Sequence, residues 1–185
     1  MNKQDEHSRE LWNRFLAGDG EAFGLLYTAH VNRLYGYGLH FTSGSELVKD
    51  CVQDLFVKLY ANRKRLQAVG NVRVYLCHAL KNMLFNALKK EPGYCPIDAV
   101  EPVFHIDLSA ETLMIESEQR REQKQRIARM MENLTPRQQE ILYYRFVEEL
   151  SHEEIGRLMQ MNDQSVRNLL HRTILKIRST ATGKS

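Results

Sequence analysis

Residues 150–178 read LSHEEIGRLMQMNDQSVRNLLHRTILKIR. The stretch predicts a short helix, a tight turn and a longer amphipathic helix in series. Ser151-His152-Glu153-Glu154 has the form of a capping box, in which the serine accepts a terminal N–H and the glutamate reaches back. Ile155, Leu158 and Met159 supply the first apolar face, and Met161-Asn162-Asp163 supplies the turn. Beyond it, Val166, Leu169, Leu170, Ile174 and Ile177 recur at i, i+3, i+4 spacing, the pattern of a buried stripe. The opposite face holds Gln164, Ser165, Arg167, Asn168, His171, Arg172 and Lys176, with no acid after Asp163. This is the spacing of a helix-turn-helix, whose second helix enters the major groove of duplex DNA. Arg can take guanine edges bidentately and Asn or Gln can take adenine, each pair giving about 1–3 kcal/mol of discrimination. A merely solvated face in an all-α domain is the alternative, although such faces ordinarily mix both signs of charge.

The rest of the chain is also helical in pattern. Helices are predicted near 8–17, 21–40, 44–62 and 72–90, separated by Gly18-Asp19-Gly20, Ser43-Gly44 and Val69-Gly70-Asn71. A second group is predicted near 111–133, 136–147, 151–159 and 163–180. Thr135-Pro136-Arg137-Gln138 offers a cap, a first-turn proline and a glutamine three residues on. Between the groups, residues 91–110 carry Pro92, Pro96 and Pro102 and read as an extended linker. The expected fold is therefore all-α: two small helical domains, 8–90 and 111–181, joined by an acidic extended linker, the second a helix-turn-helix.

Charge follows the same division. The formal net charge of +3 hides two basic blocks around an acidic one. Residues 1–90 and residues 120–185 each hold 13 Lys/Arg against 8 Asp/Glu, whereas 91–119 hold seven acids and no Lys or Arg. Such asymmetry points to a polyanion or a charged partner. No run of about 18 apolar residues predicts a membrane span, and the polar N-terminus MNKQDEHSRE lacks the apolar stretch of a signal peptide. The three cysteines form no Cys-x-x-Cys pair and read as reduced thiols, so a cytoplasmic location is expected.

Two N-terminal segments carry candidate chemistry. Around Asp50–Tyr60, Val48, Cys51, Val52, Leu55 and Leu59 form an apolar stripe, while Asp50, Gln53, Asp54 and Lys58 lie opposite with Val57 beside them. An acidic-polar face with one apolar neighbour suits a partner helix bearing Arg, and equally an ordinary surface patch. In residues 71–90, Leu76, Leu80, Met83, Leu84, Ala87 and Leu88 form a buried face. Tyr75, His78, Asn82, Phe85 and Lys89 form another stripe, with Arg73, Lys81 and Lys90 near it. Cations interleaved with rings and an amide suit single-stranded nucleic acid, where cations track the backbone and rings stack on bases. Phe85 as core, with Tyr75 capping it, is the alternative.

With these residues in view the chain resembles the small extracytoplasmic-function (ECF) group of bacterial RNA polymerase sigma factors, of the sigma-70 family. The resemblance runs from about Leu11 to Ile177. Gly18-Asp19-Gly20-Glu21-Ala22-Phe23-Gly24-Leu25-Leu26-Tyr27 is similar to the family's opening helix. The pattern Asp50-x-x-Gln53-Asp54-x-Phe56-x-x-Leu59 resembles its segment for docking on a coiled coil of the polymerase clamp subunit. Residues 71–90 resemble its promoter-melting helix, and Leu134–Ile141 through Glu154-Ile155 to Val166-Arg167 resemble its minus-thirty-five domain. Tyr75 stands where the family often has Trp, and Lys81 where it often has Arg. The recognition helix is less arginine-rich than the commoner version, which leaves the exact minus-thirty-five sequence open.

The resemblance implies a promoter-specificity subunit with core RNA polymerase, duplex and melted promoter DNA, and an anti-sigma factor as partners. It implies polymerase contacts from Asp50, Gln53, Asp54, Val57 and Lys58. It also implies DNA contacts from Arg73, Tyr75, Lys81, Asn82 and Lys89 in the first domain and from Gln164, Ser165, Arg167, Asn168, His171, Arg172 and Lys176 in the second. For the connector it implies a polyanion mimic in polymerase channels, where composition alone would allow a flexible tether. No Gly-rich phosphate loop, metal-ligand spacing among the seven histidines or activated nucleophile is visible, so neither catalysis, metal nor cofactor is expected. A conventional helix-turn-helix regulator that binds duplex DNA unaided is the rival reading.

Overall fold

The computed structural model describes residues 3–90, 103–105 and 130–181. They divide into two compact units, Met1–Pro102 and Val103–Ser185. Every regular element among the described residues is helical.

The first unit contains α1 (Lys3–Ala17), α2 (Gly20–Leu39), α3 (Ser45–Ala61), a one-turn 3₁₀ helix (Arg63–Arg65) and α4 (Val72–Leu88). Asp19 sets the junction of α1 and α2. Its carboxylate caps α2 by accepting from the Ala22 N–H at 3.0 Å, and the Arg14 guanidinium grips it at 2.7 and 2.9 Å. The Ala22 bond, and then Arg14, hold the Asp19 carboxyl below the usual carboxylate range. Asn71 caps α4 in the same way through the Val74 N–H. Leu11, Trp12 and Phe15 from α1 meet Leu26, Leu34 and Tyr37 from α2, Val48, Val52 and Leu55 from α3, and Leu76, Leu80 and Leu84 from α4. Each such side chain contributes about 1.5–3 kcal/mol on burial.

Helix α1 begins five residues before the predicted position. The cause is tertiary. Ser8 is buried within 3.0 Å of His30 on α2, and Asp5 pairs with Arg73 on α4 at 3.7 Å. Asp5 and Glu6 in the first turn also suit the positive end of the helix dipole. Helices α2 and α3 cross closely at Gly38, where an added β-carbon would lie 2.5 Å from Cγ1 of Val48.

The second unit contains α5 (Pro136–Leu142), a π-helical turn (Tyr143–Val147), α6 (His152–Met159) and α7 (Asp163–Ala181). Both expected capping boxes are present, Thr135 with Gln138 and Ser151 with Glu154. The predicted helix 136–147 is interrupted by the wider turn. Consecutive Tyr143 and Tyr144 both lie inside, and their hydroxyls donate to Glu148 and Glu140 at 2.9 Å each. Val103–His105 have no regular structure, yet Phe104 is only 2% exposed, with its ring 5.4 Å from that of Tyr143. One residue of the predicted linker is thus a core residue of the second unit. The rest of the linker and most of the predicted helix 111–133 lie outside the described residues; 130–132 are helical.

Candidate nucleic-acid interface

Three surfaces carry the residues singled out in the sequence. The first is the second helix of the helix-turn-helix. Helix α6 ends at Gln160, a left-handed residue with φ 52°, and the Met161 N–H donates to the Gly156 carbonyl at 2.9 Å. The chain then passes so close to α6 that a β-carbon on Gly156 would meet the Met161 carbonyl oxygen. Asn162 caps α7 through the Ser165 N–H at 2.8 Å. This tight reversal fixes α7 against α6 by Ile155, Leu158 and Met159 on one side and Val166, Leu170 and Thr173 on the other. Leu169, Ile174 and Ile177 are only half-buried, and Thr173, absent from the predicted stripe, is fully buried with its hydroxyl donating to the Leu169 carbonyl.

On the outer side of α7, Gln164, Arg167, Asn168, His171, Arg172 and Lys176 are exposed and Ser165 is half-buried. All seven predicted residues therefore share one helix. Three are already oriented: the Gln164 amide donates to Asn168 at 3.0 Å, and Arg167 pairs with Asp163 at 2.7 Å. The face offers cations and amides spaced to meet phosphates and base edges.

The second surface is the outer side of α3. Asp50, Gln53, Asp54, Val57 and Lys58 are all exposed, as predicted. Tyr60 and Ala61 extend the face, and Tyr27 of α2 stands beside it with its ring 4.9 Å from that of Phe56. Val57 is 59% exposed and Tyr60 56%, so an apolar strip runs along an acidic surface. The buried Cys51 thiol beneath is pushed up, first by desolvation and then by Asp54 and Asp50.

The third surface is α4, and here the predicted residues part company. Asn82 and Lys89 are exposed. Lys81 is 8% exposed, with its ammonium 5.6 and 5.3 Å from the ring centroids of Phe41 and Phe85. Arg73 is half-buried beside Asp5. Tyr75 lies edge-on to Trp12 at 5.2 Å, and burial raises its phenol above the ordinary range. Asn82 reaches His78, whose Nδ1 lies 3.3 Å from the amide nitrogen. Sequence reasoning passed over Arg63-Lys64-Arg65, which with Tyr60, Ala61 and Asn62 line an open cavity of about 400 Å³. Three consecutive cations just past a helix end were the available signal.

Two family models match the chain: Sigma-70 region 2 over residues 26–92 and Sigma-70, region 4 over residues 124–177. The chain belongs to the sigma-70 family. The surfaces of α3 and α4 fall in the region-2 match, and α5 to most of α7 in the region-4 match. The ECF RNA polymerase sigma factor BldN of Streptomyces coelicolor is 24% identical over 168 residues, 89% of this chain. The sigma-70 chain spans 62% of the length of that relative. Among solved structures, CnrH in complex with the cytosolic domain of CnrY has a TM-score of 0.62 at 18% identity. The match covers 97% of this chain and 99% of that one, a likeness of fold. Among the described residues of this sigma-70 chain, no helix is long and apolar enough to cross a membrane.

Proposed function

We propose that this chain is a promoter-specificity subunit that directs core RNA polymerase to selected promoters and starts transcription there. One observation carries the reading. A single chain of the sigma-70 family combines an acidic, apolar-centred helix face in its region-2 match with an exposed cationic helix-turn-helix face in its region-4 match.

Residues 8–90 form the docking and minus-ten domain, 91–110 the acidic linker and 111–181 the minus-thirty-five domain. Asp50, Gln53, Asp54, Val57 and Lys58 bind the polymerase, with Val57 as the apolar centre of a charged rim. Asn82 holds an unpaired base, while Lys89 meets the strand backbone; Arg73, Tyr75 and Lys81 act from behind, fixing the helix that presents them. Gln164, Ser165, Arg167, Asn168, His171, Arg172 and Lys176 read duplex DNA. Capture of unpaired bases offsets an unpairing cost of a few kcal/mol, so opening needs no nucleotide hydrolysis by this chain. The strip Tyr27–Val57–Tyr60 also suits an anti-sigma factor that competes with the polymerase for the α3 face.

The test is run-off transcription with bacterial core polymerase and a promoter library, with and without the protein. New start sites that depend on the protein are expected. Silence together with tight, sequence-specific duplex binding by the free protein would replace this reading with a conventional helix-turn-helix regulator.

A further inference from the structure

The pairing of His78 with Asn82 bears on which base α4 selects. Asn82 is exposed and His78 is half-buried one turn before it, so the two share one stripe of the helix. The Asn82 amide nitrogen lies 3.3 Å from Nδ1 of His78. An amide nitrogen can only donate, so Nδ1 accepts and the imidazole proton sits on Nε2. In that tautomer the bond occupies one of the two amide N–H groups and holds the amide nitrogen toward the ring. It leaves Oδ1 directed away from His78, with both lone pairs available.

We infer that His78 is a positioning residue that fixes the Asn82 amide with its oxygen outward, and that it thereby sets base preference in the melted strand. An outward acceptor favours a base with an exocyclic amino group at that point over the matching base with a carbonyl there. Adenine is favoured over guanine among purines, and cytosine over thymine among pyrimidines, because the carbonyl bases set two acceptors against each other. Turned over, the same amide would present its N–H₂ group and reverse both preferences. The inference rests on the proposed role of Asn82 as the residue that holds an unpaired base. It adds a residue outside the expected contact set, acting through another side chain and not through its own contact with DNA.

The experiment uses holoenzyme assembled from core polymerase and this protein. It binds a pool of fork DNAs randomised over the single-stranded non-template segment, and bound and unbound fractions are sequenced. For the wild type, one position is expected to show amino bases enriched over carbonyl bases by about five- to tenfold. Asn82→Ala abolishes that bias. His78→Glu, acceptor-only, keeps it, and His78→Lys, donor-only, turns the amide over and reverses it. Ratios between bases cancel the general effect of each variant's charge on affinity. A bias that survives Asn82→Ala overturns the role of Asn82 itself. A bias lost in Asn82→Ala but equal in wild type, His78→Glu and His78→Lys overturns the role of His78 alone. A wild type with no such position overturns the inference directly.

Discussion

A β-carbon added to Gly156 would sit 2.6 Å from the carbonyl oxygen of Met161. Backbone on one side and a helix on the other leave no flexible atom to move aside. Gly156→Ala is therefore expected to lower the stability of the second unit by about 1–3 kcal/mol, despite the better helix propensity of alanine. Denaturant unfolding measures it. Because the displaced segment leads into α7, minus-thirty-five reading should fall while polymerase binding persists.

Two glycines in the last turns of α2 give opposite expectations. Gly36 has nothing within 4 Å of an added β-carbon, whereas Gly38 meets Val48 Cγ1 at 2.5 Å. Gly36→Ala should stabilise by up to about 1 kcal/mol. Gly38→Ala should destabilise by about 1–3 kcal/mol. Pairing Gly38→Ala with Val48→Ala should recover part of the loss, so a double-mutant cycle shows favourable coupling.

The buried His30 imidazole is held down to about 4, first by desolvation, with Arg33 and Arg73 adding repulsion. Its ordinary value is 6.5. As pH falls below 6.5 the unfolded chain takes up a proton that the folded chain refuses. Stability is thus full above 6.5 and is lost progressively down to about pH 4, by about 3 kcal/mol in all. Unfolding free energies measured between pH 7 and 4 check this. His30→Asn should flatten the slope in that window, whatever it does to absolute stability.

Lys81 on α4 and Lys89 just past its end lie about two turns apart and should behave differently toward DNA. The ammonium of Lys81 sits over the rings of Phe41 and Phe85. Lys81→Ala should cost about 1–2 kcal/mol of stability through lost packing and cation–π attraction, without changing the salt dependence of single-strand binding. Lys89→Ala should leave stability nearly unchanged and lower the slope of log affinity against log salt by about 0.7. A drop in slope for Lys81→Ala would mean that Lys81 leaves its rings to meet the strand.

Single substitutions test the proposed division of labour between the two units. Arg167→Ala should weaken promoter selection by about 1–3 kcal/mol and leave core polymerase binding intact. Asp54→Ala should weaken core binding by about 1 kcal/mol, roughly fivefold, with duplex recognition retained. Co-sedimentation with core polymerase and promoter competition give the two readouts. Loss of core binding in Arg167→Ala would contradict the assignment.

Features with a local cause were legible in the sequence. The boxes at Thr135 and Ser151, the stripes of α3 and α7 and the exposed face of Asp50 to Lys58 each follow from residues a few positions apart. Features with a distant cause were not. The first turn of α1 is held by Ser8 against His30 and Asp5 against Arg73, partners more than twenty positions away. Lys81 reads as a surface cation because periodicity cannot place Phe41, which follows α2, beside Phe85 of α4. Phe104 reads as linker because its burial depends on Tyr143 and Tyr144, about forty residues on. The π-turn has no periodic signature of its own.

Helix α7 is held by Val166, Leu170 and Thr173, while Gln164, Arg167, Asn168, His171 and Arg172 are exposed. Substitutions at the exposed set change what the helix meets without opening a cavity. Such positions are ordinarily worth no more than about 0.5 kcal/mol in folding. A lineage can therefore exchange these side chains freely while keeping the scaffold. Change in what this face meets, whether by drift or by design, is open to this helix at almost no risk to the fold that carries it.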